Sequence, residues 1–195
     1  LFPLFGFILG AFLVSKFEKL TVAICTLSIF GSFLFSARIF WNFVFGVYSK
    51  DYYIHKVFTW FDLGEKFSWN LGIYIDNMGA IMLLMVSGAA FLIHLFSTFY
   101  MAHDKRFGQF FVYMNLFTMG MLGVVLSDNL LSFFMFWELM GFCSYSLIGF
   151  YYEKEEQGNA SLKAFMTTRV GDVFFLMGIA VVWLGIKEST GQGSF

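Results

Sequence analysis

The sequence predicts an all-α membrane protein of about six transmembrane helices, with one extramembrane β-hairpin between the second and third. Three observations carry that reading. Of 195 residues, 59% are hydrophobic, 13% are charged and one is proline, whereas soluble domains average about 45–50% apolar and about 25% charged residues. Apolar runs of about 20 residues, the length that crosses a bilayer as a helix, recur along the chain. Only residues 47–77 break the pattern, and there charges alternate with aromatic and β-branched residues.

The elements follow in order. Residues 1–46 hold the first two spans. Leu1–Val14 is apolar, with Pro3 placed for a first helical turn; fourteen residues are short for a span unless the segment tilts or starts in the interface. Lys16 and Lys19 flank a short loop. The second span runs from about Leu20 to Phe45, and Arg38 near its far end can snorkel to the interface. Residues 47–77 form the hairpin, with strands Val57–Asp62 and Phe67–Ile75 about a Leu63-Gly64-Glu65 turn, since Gly in a short loop between strand-like runs is a hairpin signal. Trp60, Trp69 and Tyr74 suit the water–lipid boundary.

Residues 78–186 supply four more spans. The third, Met78–Tyr100, contains His94, read as a packing residue because no other His or Cys stands at a metal-ligand spacing. The fourth, Phe107–Leu126, has small positions at Gly120 and Gly123 for close helix approach. Ser127-Asp128-Asn129 caps the fifth, Ser127–Phe150. An acidic loop, Glu153–Glu156, leads to the sixth, Leu162–Ile186, where Gly171, Gly178 and Gly185 recur every seven residues as a packing seam. Residues 187–195 read as a polar, flexible tail. Loops 15–20, 101–109 and 153–161 then share one side with Lys16, Lys19, Lys105, Arg106, Lys154 and Lys163. That bias makes this side cytoplasmic or matrix-facing and puts the hairpin outside.

One acid stands out. Glu138 has about ten apolar or small residues on either side, and a charge at mid-bilayer costs roughly 2.5–3.5 kcal/mol on insertion scales. Gly141, Tyr145 and Gly149 fall on its helical face, so it points at protein rather than lipid. Such an acid marks an ion or proton path with a basic partner, or else a buried structural carboxyl. Arg169 and Asp172 stand at i, i+3 in the sixth span, close enough to pair. They either fix helix register or continue a polar chain from Glu138.

Composition excludes several classes. A net charge of −1 argues against nucleic acid. Cys25 and Cys143 lie in apolar runs and read as buried hydrophobes, not a disulfide. No cysteine cluster, nucleotide loop or dinucleotide fingerprint is present, so no cofactor is expected in this chain. The 30 phenylalanines hint at an AT-rich, organellar gene.

The runs DNLLSFFMFWELMGFCSYSLIGFYYEK and KAFMTTRVGDVFFLMGI resemble subunit 5 of respiratory complex I, the antiporter-like family related to multicomponent Na⁺/H⁺ antiporter subunits. The likeness extends from Asp76 through Gly178 and includes the F-x-x-Y-x-N-L-F pattern of Phe110–Phe117. The resemblance implies a proton-translocating, non-redox subunit of NADH:ubiquinone reductase in the mitochondrial inner membrane, or alternatively a bacterial plasma membrane, with FMN, iron–sulfur clusters and ubiquinone in other subunits. It places Glu138 on the fifth-helix acid that faces a lysine of a broken seventh helix, whose proton affinity their separation tunes. It places Arg169 and Asp172 near the contact with the neighbouring antiporter-like subunit. Partners implied are membrane lipid and the other membrane-arm subunits. Family members continue well past the sixth span, so this is a partial antiporter-like repeat: either a second polypeptide completes the subunit or the sequence is a truncated piece. A Na⁺/H⁺ antiporter subunit and a non-conducting scaffold are the alternatives.

Overall fold

The computed structural model describes residues 2–14, 16–46, 52–62 and 68–190. Six helices and one two-stranded sheet follow in the order α1 (Phe2–Leu13), α2 (Glu18–Val44), β1 (Tyr52–Asp62), β2 (Ser68–Asp76), α3 (Asn77–Tyr100), α4 (Phe107–Leu126), α5 (Leu130–Ile148) and α6 (Glu155–Thr190). Five of them, α2 to α6, are long and apolar enough to cross a membrane. The sixth expected span, α1, has 12 residues and so rises only about 18 Å, short of the ~30 Å hydrocarbon layer.

The buried centre lies where α1, α2 and α4 meet, around Val22, Cys25, Phe111 and Val112. It forms because α1 comes very near its neighbours. A Cβ on Gly6 would overlap Ser28 of α2 and stand 2.9 Å from the amide nitrogen of Asn115 on α4. Ser28 donates to Asn115 Oδ1 at 3.2 Å, so a polar contact rides within the apolar seam. The two cysteines are free and buried. His94 is fully buried; its Nδ1 lies 2.8 Å from the Ala90 carbonyl, and its ring edges Phe111. His94 thus packs in the core, as the sequence suggests, while its Nε2 has no partner among the described residues.

Outside this centre the helices add in sequence, α3 on α2 and α4, α5 on α4, and α6 on α5. Gly123 admits the ring of Phe136 of α5, and a Cβ on Gly120 would stand 2.9 Å from Met140. Those are the small positions the sequence marks on the fourth span.

The strands pair antiparallel from Tyr52↔Asp76 to Asp62↔Ser68, with irregularities between Lys56 and Phe58 and between Thr59 and Phe61. Two bulges let an 11-residue strand pair with a 9-residue one, and bulges bend and twist a ribbon. The first strand therefore begins five residues earlier than expected. The expected turn at 63–65 lies outside the described residues. Trp60 stacks on Trp69 at 5.4 Å.

Two boundaries differ from the sequence reading. α6 starts inside the expected acidic loop, with Glu155 and Glu156 in its first turn. Carboxylates there complement the positive end of the helix dipole, so charge that reads as loop is helix-compatible. At the other end α6 continues to Thr190, and Lys187 in its last turn suits the negative end; residues 187–190 are thus helix rather than tail.

Candidate functional site

Glu138 is the ninth residue of the nineteen in α5, which places it midway between the two ends. Asn129 starts that helix, accepting the Ser132 N–H at 2.8 Å. α6 runs alongside α5, and its aromatic rings fix the approach. Phe175 meets Phe133, Phe134 and Trp137 edge-on, with centroids 5.8–6.4 Å apart; Tyr145 meets Phe165 at 5.2 Å. Near the helix ends a Cβ on Gly149 would stand 2.8 Å from the Ser161 hydroxyl, which brings the two backbones close there.

That approach brings the three charged residues together. Arg169 forms an ion pair with Glu138 through its guanidinium. The same guanidinium nitrogen is 3.8 Å from Asp172 Oδ2, one turn along α6, and its Cζ lies 4.6 Å above the Phe165 ring. Asp172 is the most enclosed of the three, with 11% of its side chain exposed against 24% for Glu138 and 35% for Arg169. Its other oxygen accepts the indole N–H of Trp137 at 2.9 Å. Two helices thus share one polar chain, from Glu138 to Arg169 to Asp172 to Trp137, with the two ends supplied by α5 and the middle pair by α6.

The i, i+3 spacing foresees the Arg169–Asp172 contact. It does not foresee that Arg169 turns chiefly to Glu138, nor that Trp137 is the donor for Asp172. Spacing along one helix carries no information about the rotation of its neighbour, and only the adjacency of Trp137 to Glu138 could have suggested the indole. Of the three residues sharing the Glu138 face, Tyr145 and Gly149 contact α6. Gly141 does not, since a Cβ there would meet nothing within 4 Å.

Electrostatically the chain is unbalanced. Two carboxylates share one guanidinium, so one cation serves two acidic side chains in a largely apolar helix pair. Asp172 also lines a groove of about 470 Å³ between α4, α5 and α6, with Gly141, Ser144, Thr168 and Gly171 on its walls. The site is therefore approachable from the side not filled by α5. Among the described residues no group of three or more His, Cys, Asp or Glu could hold a metal ion.

The chain is similar to known proteins along most of its length. A family profile described as complex I chain 5 N-terminus matches residues 60–111, and one described as NADH:quinone oxidoreductase/Mrp antiporter, TM, matches residues 127–191. The chain is 41% identical to NADH-quinone oxidoreductase subunit L of Pseudomonas aeruginosa over 184 residues, which is 94% of this chain and 30% of that protein. It is 40% identical to the chloroplastic NAD(P)H-quinone oxidoreductase subunit 5 of Chara vulgaris over 156 residues, 80% of this chain and 23% of that one. The chain thus spans less than a third of the length of these relatives. Its fold is similar to that of a chain in the membrane-bound sulfane sulfur reductase, an archaeal respiratory membrane complex, with a TM-score of 0.73, 24% identity, and coverage of 98% of this chain and 36% of the other. Two family profiles on consecutive parts of the chain, and relatives aligned over nearly all of it, lead to one conclusion: the chain belongs to the antiporter-like chain 5/subunit L family of NADH:quinone oxidoreductase.

Proposed function

We propose that this chain supplies one station of a proton path in the membrane arm of NADH:quinone oxidoreductase, with Glu138 as the proton-carrying group. The observation that carries the proposal is the ion pair between Glu138 and Arg169 midway along α5, with Asp172 competing for the same guanidinium. Intramembrane acids are costly and as a rule mark ion paths. Here a second carboxylate gives Arg169 two alternative partners. When the guanidinium turns towards Asp172, Glu138 is left without a counter-charge, and a proton or a cation from a further helix neutralises it. When it turns back, Glu138 is held ionised, because a nearby opposite charge favours the charged form. The chain performs no redox step in this reading; flavin, iron–sulfur and quinone chemistry belong to other subunits. Its place is an energy-transducing membrane, which the phenylalanine-rich composition favours as the mitochondrial inner membrane. Its partners are the neighbouring membrane-arm subunits and lipid.

The test is Glu138→Gln in a coupled membrane preparation. Protons moved per NADH oxidised should fall at least about twofold, since an amide cannot exchange a proton at any accessible pH. An unchanged ratio in a fully assembled complex would falsify the role of Glu138. A second reading, a subunit of a Na⁺/H⁺ antiporter, is favoured by the second family profile, whose description names both systems. Transport that depends on Na⁺ and proceeds without NADH would select it.

A further inference from the structure

The outer end of α5 is built in a way that capping alone does not require. Asn129 uses its side chain in two directions. Its Oδ1 accepts the Ser132 N–H and so caps α5. Its Nδ2 donates to the Asn70 carbonyl of β2 at 2.7 Å and to Asp128 Oδ1 at 2.7 Å. Asp128 in turn accepts the Gly72 N–H of β2 at 3.2 Å, and a Cβ on Gly72 would overlap its carboxylate. The Trp69 indole donates to the hydroxyl of Ser132, which is fully buried, at 3.2 Å, and Ile73 bridges Ser127. Four of these contacts join residues 69–73 of the hairpin to residues 127–132. β2 then passes directly into α3, with Asp76 accepting the Gly79 N–H at 2.6 Å as the α3 cap.

We infer that the hairpin is the device that sets the depth and rotation of α5 in the membrane, with Asn129, Asp128 and Gly72 as positioning residues for Glu138. Glu138 stands nine residues beyond Asn129, about 13.5 Å along a rigid helix. A rotation or slide imposed at the first turn therefore arrives at the Glu138–Arg169 contact undiminished. Capping needs only an oxygen acceptor at position 129; the amide Nδ2 takes no part in the cap and serves the hairpin, directly at Asn70 and through Asp128. This inference takes its purpose from the proton-path reading, but its geometry stands without it.

The experiment separates the two jobs of Asn129. Asn129→Ser retains a capping hydroxyl and removes the donation to Asn70. Gly72→Ala leaves Asn129 intact and pushes the Asp128 carboxylate off the strand. Both are made in the complete membrane assembly, labelled with ¹³C-glutamate. The infrared carboxylate band of Glu138 is isolated by subtracting the Glu138→Gln spectrum, and Arg169→Gln supplies the position of the unpaired band. Both variants should shift the Glu138 band at least about halfway towards the unpaired position, and Asn129→Gln, which can re-reach the strand, should restore part of it. A band at the wild-type position in both variants overturns the inference and leaves Asn129 as a cap and nothing more. The band reports pairing, not pumping, so it can move even where Glu138→Gln pumps normally. In that outcome the positioning role survives and the proton-path reading fails.

Discussion

At the scale of single residues, the informative group is Trp137. It stands next to Glu138 in the chain but serves the opposite helix, giving Asp172 a neutral donor. Without it, Asp172 would depend on Arg169 alone and compete harder with Glu138 for one guanidinium. Trp137→Phe keeps the ring contacts with Phe133 and Phe175 and deletes only the N–H. Hydrogen bonds between membrane helices measure about 0.6 kcal/mol on average and at most about 1.7, so the variant should lose about 1 kcal/mol of stability. A double-mutant cycle with Asp172→Asn in a micellar unfolding assay measures the coupling directly; a coupling of zero removes the indole from the polar chain. Glu138 and Asp172 themselves were legible as candidates, because an acid in an apolar run is costly enough to need a reason. Their sharing of Arg169 was not legible, because it depends on how α6 is rotated.

At the scale of elements, the loop end of the bundle opposite the hairpin is fastened by exposed polar contacts. Arg106, just before α4, pairs with Glu153 at 3.0 Å, and its guanidinium lies 4.9 and 4.8 Å above the Phe150 and Tyr152 rings. Tyr151 donates to Asp104 Oδ2 at 2.7 Å. The Arg106 backbone N–H, then the Tyr151 hydroxyl, hold the Asp104 carboxyl below its ordinary value of 3.8, and the same contact holds the Tyr151 phenol above its ordinary 10.0. The signs fix the pH window. A depressed carboxyl contributes above its unfolded value and loses that contribution as pH falls through the folded one; the raised phenol contributes until pH climbs past its folded value. Loop 101–106 should therefore be clamped across the neutral range and loosen in acid below pH ~4, and again in strong alkali above pH ~10. Amide-exchange protection factors for residues 101–106 and 149–154, corrected for intrinsic rates, test this. Protection that stays flat from pH 7 down to 3 would contradict it. The charges of this clamp read from sequence only as solvated loops, since the partners are 47 positions apart.

At the scale of the whole molecule, α6 presents a broad unfilled face. Val170, Val173, Phe174, Met177 and Val181 are all exposed, and a Cβ on Gly171, Gly178 or Gly185 would meet nothing within 4 Å. The heptad seam that the sequence marks for tight packing therefore has no partner among the described residues. Small residues along an apolar helix admit a second helix closely, and the relatives have more than three times this length to provide one. Gly178→Leu should accordingly leave the α5–α6 contacts intact while lowering recovery of the respiratory complex several-fold in mild detergent. Full recovery of an active complex would show that no helix sits on that seam.

The sequence by itself determined the class of protein, the places of the long spans and the hairpin, and the residues that need a charge partner. Those features follow from local quantities: apolar run length, alternation, turn residues, and the cost of a lone charge in hydrocarbon. Ambiguity arose where local signals conflict. An acidic first turn reads as loop yet suits a helix N-terminus, and α1 is apolar but only 12 residues long. The tertiary structure alone decided that Glu138 pairs with Arg169, that Trp137 holds Asp172, and that Asn129 ties α5 to β2. These contacts join residues 31 to 59 positions apart. Each is set by the rotation and depth of one element against another, which the packing of whole helices fixes and no short window of sequence contains.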